Sequence, residues 1–324
     1  MVATRAGTGH PRIKKRALKK RAEEKRALRT YWRQYLAISP FYVLFAVFML
    51  GPVLFSLYLA FHKWDGLGPM EFVGLRNFRF MVKDGLFWQS LTNTFAIWFL
   101  STVPMLLLAL VLAAMLNSSV RFGGFYRVAF FIPNVTSIVA IAIFFGSVFA
   151  NQVGLVNVVL QWLNVGTVGW LTDSFAIKLV ISALITWQWT GYNAIIYLAG
   201  MQAISSELYE AARIDGAGPV KCFLKITLPL LRPVILFTVI MSAIGGMQTF
   251  TEPQVLFGTV DATNPDNGGP GHAGLTTVLY LYREAFSFNQ LGYGAAIAWA
   301  LFLVILLFTL INWRLIAGSG RRDR

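Results

Sequence analysis

A chain of 324 residues that is 56% hydrophobic and only 13% charged carries far less charge than the roughly 25% of a soluble domain. Its apolar residues gather into long uncharged blocks, which excludes an ordinary globular protein and points to helices solvated by lipid. The net charge of +14 lies mostly at the ends and between blocks, where it reads as topology and contact with anionic lipid rather than as a nucleic-acid surface.

Residues 1–34 form a basic tail, expected to be partly helical over 17–28 and cytoplasmic, with 12 Lys and Arg ahead of the first apolar block. The tail and the block after it do not make a cleavable leader. The apolar stretch is too long, and Tyr58-Leu59-Ala60-Phe61-His62 offers no small-residue cleavage site. Residues 35–324 read as an all-α polytopic membrane domain with six spans. These run roughly Leu36 to Phe61, Leu91 to Leu116, Val128 to Ala150, Leu179 to Gln202, Pro233 to Thr251 and Ala295 to Trp313. Each is close to the ~20 helical residues that cross a bilayer core. Prolines 40, 52, 104, 133 and 253 fall inside or at the edge of spans, where they kink helices by removing an amide donor. The tail, the second-to-third and fourth-to-fifth loops and the C-terminal end hold 22 of the 28 Lys and Arg. That bias places both termini in the cytoplasm. The outer loops are then Lys63 to Ser90, Asn151 to Thr172 with a short interfacial helix, and a turn-dense stretch from Asp261 to Gly274.

Chemistry is sparse. No Gly-x-x-x-x-Gly-Lys-Ser/Thr motif is present, so the chain does not hold ATP in that way. His10, His62 and His272 lie in separate segments, and Cys222 stands alone, so neither a metal cluster nor a disulfide is expected. No enzymatic motif is found. The middles of the spans carry no ionisable residue, which weighs against a proton-driven carrier. A carrier that binds sodium through backbone carbonyls stays open. Otherwise the energy must come from a partner, through a surface on the cytoplasmic side.

The loop 205–230 offers such a surface. Ser206 can cap a helix, Glu207 suits its first turn, and Leu208, Ala211 and Ala212 share a face. Gly216 and Gly218-Pro219 end it, and a second helical stretch from Val220 to Thr227 leads to Pro229. On these residues alone, the helix either docks on a soluble partner or lies on lipid. The pattern Glu210-Ala211-Ala212, then Gly216, then Ile226-x-Leu228-Pro229 resembles the signature loop of binding-protein-dependent ABC import permeases, at every fixed position and both spacings. The resemblance implies a type I importer permease fold in the bacterial cytoplasmic membrane, with Glu210, Ala211, Ala212, Gly216, Ile226, Leu228 and Pro229 in the joint to an ATPase. It also implies the partners: a second homologous permease, two ATP-binding subunits that use ATP and Mg while this chain binds no cofactor, and an extracytoplasmic sugar-binding protein.

Other segments resemble the sugar-permease branch, of the maltose, lactose and glycerol-phosphate type. They are Phe72-Val73-Gly74 with Asn77, Phe87-Trp88 with Asn93-Thr94, and Arg127 with Ile132-Pro133. The stretches Trp189-Thr190-Gly191-Tyr192-Asn193 and Gly245 to Pro253 look most like cellobiose-type permeases.

A sugar needs amide, hydroxyl or carbonyl partners and aromatic faces. The fourth span holds Trp187, Gln188, Trp189, Thr190, Tyr192 and Asn193. The fifth holds Ser242, Gly245, Gly246, Gln248 and Thr249. Helix packing accounts for such residues as well. Resemblance to the maltose-type permease implies sugar contacts at Asn134, Gln188, Trp189, Tyr192, Ser242, Gly245, Gly246 and Thr249. Three of these depart from that relative, with Gly246 and Thr249 where it has asparagine and Asn134 where it has tyrosine, so Gln248 or Trp189 is expected to replace lost contacts. Glu252, one residue before Pro253 near the outer end of the fifth span, either meets a partner or substrate or is a solvated charge at a helix end, and the second is expected. The reading is a permease subunit for a neutral sugar, a di- or oligosaccharide such as cellobiose. The alternatives are an ion-coupled secondary transporter and a glycerol phosphate permease, the latter needing Arg or Lys along its route.

Overall fold

The computed structural model describes residues 31–32, 34–118, 121–258 and 268–319. The helix expected over 17–28 and the first half of the turn-dense loop, 261–267, lie outside them. The chain divides into two units, Met1–Tyr58 and Leu59–Arg324.

The first unit contains most of helix α1 (Gln34–Ala60). Ala46–Leu50 forms a π turn in which the Gly51 amide donates to the Ala46 carbonyl. Pro52 follows directly. The wider turn lets the helix run on past a residue without an amide donor.

In the second unit the strands β1 (His62–Lys63) and β2 (Glu71–Phe72) pair antiparallel, His62 opposite Phe72. Helix α2 (Arg76–Lys83) follows. Its Asn77 Nδ2 donates to the carbonyls of Ala60 and His62 at 2.9 and 3.0 Å, which closes this corner. The long helices α3 (Gly85–Asn117) and α7 (Ser174–Gln202) then form the axis of the unit. Ser182 and Thr186, one turn apart on α7, donate to the carbonyls of Ile97 and Ser101, one turn apart on α3, at 3.2 and 3.1 Å. Both bonds advance together along the chain, so the two helices run in the same direction. Hydroxyls of this kind hold apolar helices together where lipid supplies no hydrophobic drive. Alanines 109, 113 and 194 bring the same helices close further along, around the buried Tyr197 and Leu231.

Parallel α3 and α7 require the chain between them to return. It does so through α4 (Gly123–Val135) and α5 (Ile138–Val148), which meet at 93°. The break falls at Thr136, in extended geometry, and Ser137, also non-helical, three residues beyond Pro133. Thr136 Oγ1 donates to the Ile132 carbonyl at 2.9 Å, satisfying one of the acceptors left at the helix end. The short helix α6 (Leu155–Trp162) is present as expected. Its Asn157, wholly buried, donates to Asn151 and Val168 carbonyls and accepts from the Val168 amide and Trp170 Nε1. One side chain thereby organises the loop.

After the loop helix α8 (Ser206–Ile214) comes α9 (Pro219–Gly246). It repeats the device of α1: a π turn at Phe223–Thr227, with the Leu228 amide donating to the Phe223 carbonyl, precedes Pro229. Helix α9 stops at Gly246, not near Thr251 as expected, and α10 (Thr251–Phe257) begins after a turn. A short 3-10 turn (Pro270–His272), α11 (Thr277–Tyr282) with its own π turn (Arg283–Ser287), and α12 (Leu291–Ser319) complete the unit. Asn93 Nδ2 holds this region by donating to the His272 and Leu275 carbonyls. Thr94 Oγ1 adds an acceptor for the Thr277 amide at 2.8 Å.

Among the described residues, α1, α3, α9 and the Leu291–Asn312 part of α12 are long and apolar enough to cross a membrane, and the bent pair α4–α5 makes a fifth if counted as one span. The expected six are not reached on these grounds. Helix α7 has the length, 29 residues, or about 43 Å, but Gln188, Thr190 and Asn193 dilute its apolar character.

Candidate functional site

A cavity of about 500 Å³ opens between α3, α7, α9 and the turn before α10. That is within the ~300–1,000 Å³ of small-molecule sites. Helix α3 contributes Ser101, Thr102 and Met105; α7 contributes Trp189, Tyr192 and Asn193; α9 contributes Thr238, Ser242, Gly245 and Gly246; the segment 248–252 follows. Trp189 and Tyr192 meet edge to face, centroids 5.7 Å apart at 89°. Both rings stay part-exposed, so apolar C–H faces of a ligand can stack on them. The Ser242 and Thr249 hydroxyls donate to carbonyls of their own turns, Val239 and Gly246, which leaves their oxygens as acceptors. Asn193 Nδ2 donates to the Trp189 carbonyl at 3.0 Å. Tyr197, one turn further along α7, shares a 2.6 Å hydrogen bond with Thr238 of α9 and so fixes the spacing of two cavity walls.

The cavity brings together Trp189, Tyr192, Ser242, Gly245, Gly246, Gln248 and Thr249. It does not include Asn134 or Gln188. Asn134 sits in the last turn of α4, before the bend, and only Ile138 beyond the bend reaches the lining. Gln188 is buried, and its Oε1 has no partner among the described residues. A Cβ at Gly245 would meet nothing, whereas one at Gly246 would lie 2.5 Å from Trp98 Cδ1. Gly246 is thus a packing position as well as a lining one.

Ser101 and Thr102 join the wall without having been singled out, because a serine and a threonine in a long apolar run read as helix packing. Glu252 corrects an expectation. It is 7% exposed and lines the cavity. The early stop of α9 turns the chain at 247–250 and carries this carboxylate inward rather than to a solvated helix end.

The loop helix lies apart from the cavity. Its cap is Ser205, one residue before the expected Ser206, with Oγ accepting from the Glu207 amide. The amide of Gly216 donates to the Arg213 carbonyl and that of Ala217 to Ala212, the pattern of a Schellman motif with Gly216 in the left-handed region at φ +73°. Glu210, Ala211 and Gly216 are exposed and Ala212 is half-buried. The face foreseen as Leu208, Ala211 and Ala212 is therefore split. Ala212 turns inward with Tyr209, while Leu208 and Ile214 stand out, Ile214 at 87% exposure. Tyr209 Oη and Thr227 Oγ1 share a 2.9 Å hydrogen bond, tying the helix to the π turn of α9. Ile226, Leu228 and Pro229 are half-buried around that turn. Cys222 is buried and its thiol faces the Ala217 carbonyl at 3.6 Å.

Residues 94–317 match the family model described as binding-protein-dependent transport system inner membrane component. The lactose transport system permease protein of Rhizobium radiobacter is 40% identical over 284 residues, covering 86% of this chain and 92% of that one. The arabinooligosaccharides transport system permease protein of Bacillus subtilis is 36% identical, covering 89% and 90%. Among solved structures, a bacterial ABC transporter involved in the import of the acidic polysaccharide alginate matches with a TM-score of 0.77 at 22% identity, over 93% of this chain and 99% of that one. The alginate transporter in complex with alginate pentasaccharide-bound periplasmic protein matches at 0.74, also at 22% identity, covering 89% and 94%. At that identity the likeness speaks for the fold.

Proposed function

Because the chain belongs to the binding-protein-dependent transport system inner membrane components, a family of multi-pass ABC permeases rather than enzymes, we propose that it forms half of the passage for a neutral di- or oligosaccharide in a bacterial cytoplasmic membrane. Its partners in this reading are a second permease, two ATP-binding subunits that use ATP and Mg, and an extracytoplasmic sugar-binding protein. Relatives named for lactose and arabinooligosaccharide transport support a sugar as cargo. The aromatic and hydroxyl-bearing cavity supports it chemically, and among the described residues no Lys, Arg or His lines it.

One observation carries the mechanism. The exposed helix α8 is fastened by Tyr209 to Thr227 at the base of α9, and the same α9 places Ser242, Gly245 and Gly246 in the cavity wall. About 22 Å of helix separates the two, at 1.5 Å per residue. An ATPase that grips Leu208, Glu210, Ala211 and Ile214 and moves on binding ATP would pull α9 as a rigid lever. The cavity would then change the side to which it opens. In this reading α8 and both termini lie in the cytoplasm, which the charge bias supports.

The test is reconstitution of this chain with its co-purified partners in proteoliposomes, following ATP hydrolysis and uptake of labelled cellobiose or lactose together. Uptake that needs ATP and the binding protein supports the reading. Uptake by the isolated chain driven by an ion gradient would replace it with a secondary carrier.

A further inference from the structure

The cavity holds one formal charge, in the first turn of α10, and among the described residues no cationic side chain balances it. Glu252 is more than nine-tenths buried and lies in the wall among neutral groups: Ser101, Thr102, Asn193, Ser242, Gln248 and Thr251. Among the described residues no Lys, Arg or His pairs with it, and the one ion pair there joins Arg283 and Glu284. Burying a lone carboxylate is costly. In a membrane protein such a group marks a functional position by default.

An ionised carboxylate is acceptor-only, with two oxygens. Its hydrogen bonds are charge-assisted and stronger than neutral ones. It suits a pair of neighbouring hydroxyls on a sugar ring, with Trp189 and Tyr192 available in the same cavity for the ring's apolar face. It is equally a barrier, because a carboxylate or phosphate brought beside it meets a like charge in a poorly solvated place, where such juxtapositions are strongly disfavoured.

We propose that Glu252 is a specificity-determining residue of the passage: it accepts hydrogen bonds from the hydroxyls of neutral sugars and rejects sugars that carry an anionic group. This rests on the cavity being the sugar's passage. The fold is shared with a transporter for an acidic polysaccharide, so the rejection would belong to this chain's own lining and not to the architecture.

The experiment measures binding of radiolabelled cellobiose and of its uronate, cellobiouronic acid, to the purified permease–ATPase complex in nanodiscs. The sugar-binding protein is left out so that its own selectivity does not enter. Wild type should favour cellobiose by at least about tenfold, the scale expected of a like-charge clash. Glu252→Gln should bring the ratio below about threefold by gaining affinity for the uronate, and Glu252→Asp should keep the preference. A Glu252→Gln complex with the wild-type ratio overturns the proposal, as does a wild type that does not discriminate. Should Glu252→Gln fail to assemble, Gln248→Lys, which adds a cation to the same wall, must shift the ratio toward the uronate. An unchanged ratio in that variant also overturns it. Tyr192→Ala separates the two levels of the argument. Equal loss of both sugars keeps the cavity as the site whatever Glu252 does, while wild-type binding of both removes the reading on which the proposal stands.

Discussion

A Cβ on Gly191 would lie 1.7 Å from the carbonyl oxygen of Phe130. The two belong to α7 and α4, and only a bare Cα at 191 lets the backbone of α4 lie against α7. Gly191→Ala therefore forces the helices apart rather than filling a gap. Overpacking of this kind costs about 1–3 kcal/mol. The variant should unfold at a lower temperature in detergent and yield less assembled complex. A midpoint equal to wild type would show that α4 is free to move.

Gly216 has a different reason for being glycine. A Cβ there would touch nothing, but its φ of +73° suits glycine and disfavours other residues by roughly 1 kcal/mol. Gly216→Ala should leave the fold and membrane insertion intact and shift the end of α8. In proteoliposomes the ATPase rate should persist while sugar uptake falls several-fold. Full uptake would detach this turn from coupling. Glu210→Ala, on the exposed face of the same helix, should separate the two rates in the same sense.

Much of this was legible in the chain. Hydropathy marked α1, α3 and the Leu291–Asn312 part of α12, apolar stretches that carry no charged residue. The Glu210 to Pro229 pattern marked a helix, a glycine turn and the base of α9, all of which are present. Direction was less legible. The 93° bend at Thr136 and Ser137 sits in an apolar run that hydropathy reads as straight, and Pro133 marks only the neighbourhood. The stop at Gly246 was hidden because Met247, Gln248 and Thr249 suit a helix as well as a turn. That missed stop is why Glu252 was read as solvated. Asn134 and Gln188, carried over by resemblance, fell outside the cavity. Asn134 lies before the bend at Thr136, and Gln188 is buried on α7 outside the lining.

Tyr209 makes the mechanical link testable. Its hydroxyl bond to Thr227 is largely shielded, and removing one such bond costs about 1 kcal/mol. Tyr209→Phe keeps the ring and deletes the bond. Amide hydrogen exchange should speed up across 206–214 and stay unchanged in α3 and α7. Uptake per ATP hydrolysed should fall, since α8 can then move without carrying α9. Unaltered exchange would mean that ring packing alone holds the helix.

Asp84 joins three helices at the opposite end of α3. Its Oδ1 accepts from the Leu86 amide at 3.0 Å, capping the helix. Its Oδ2 accepts from the hydroxyl of Tyr293 on α12 and from that of Tyr280 on α11. A lost cap costs about 1 kcal/mol and a hydrogen bond to a charged group about 1.5–3 kcal/mol. Asp84→Ala, which also leaves two tyrosine hydroxyls without their acceptor, should be the most destabilising of these variants. Asp84→Asn should fall between it and wild type, since an amide oxygen still caps α3 while its NH2 group faces hydroxyls that need an acceptor. Tyr280→Phe and Tyr293→Phe should each cost less than Asp84→Ala, and their double variant less than the sum of the two, because both hydroxyls bind one oxygen and residues that share a partner are not additive. Thermal unfolding of wild type and the five variants in one detergent checks the order. Strict additivity of the two tyrosine variants would show that the hydroxyls act independently and that Asp84 does not couple α11 to α12.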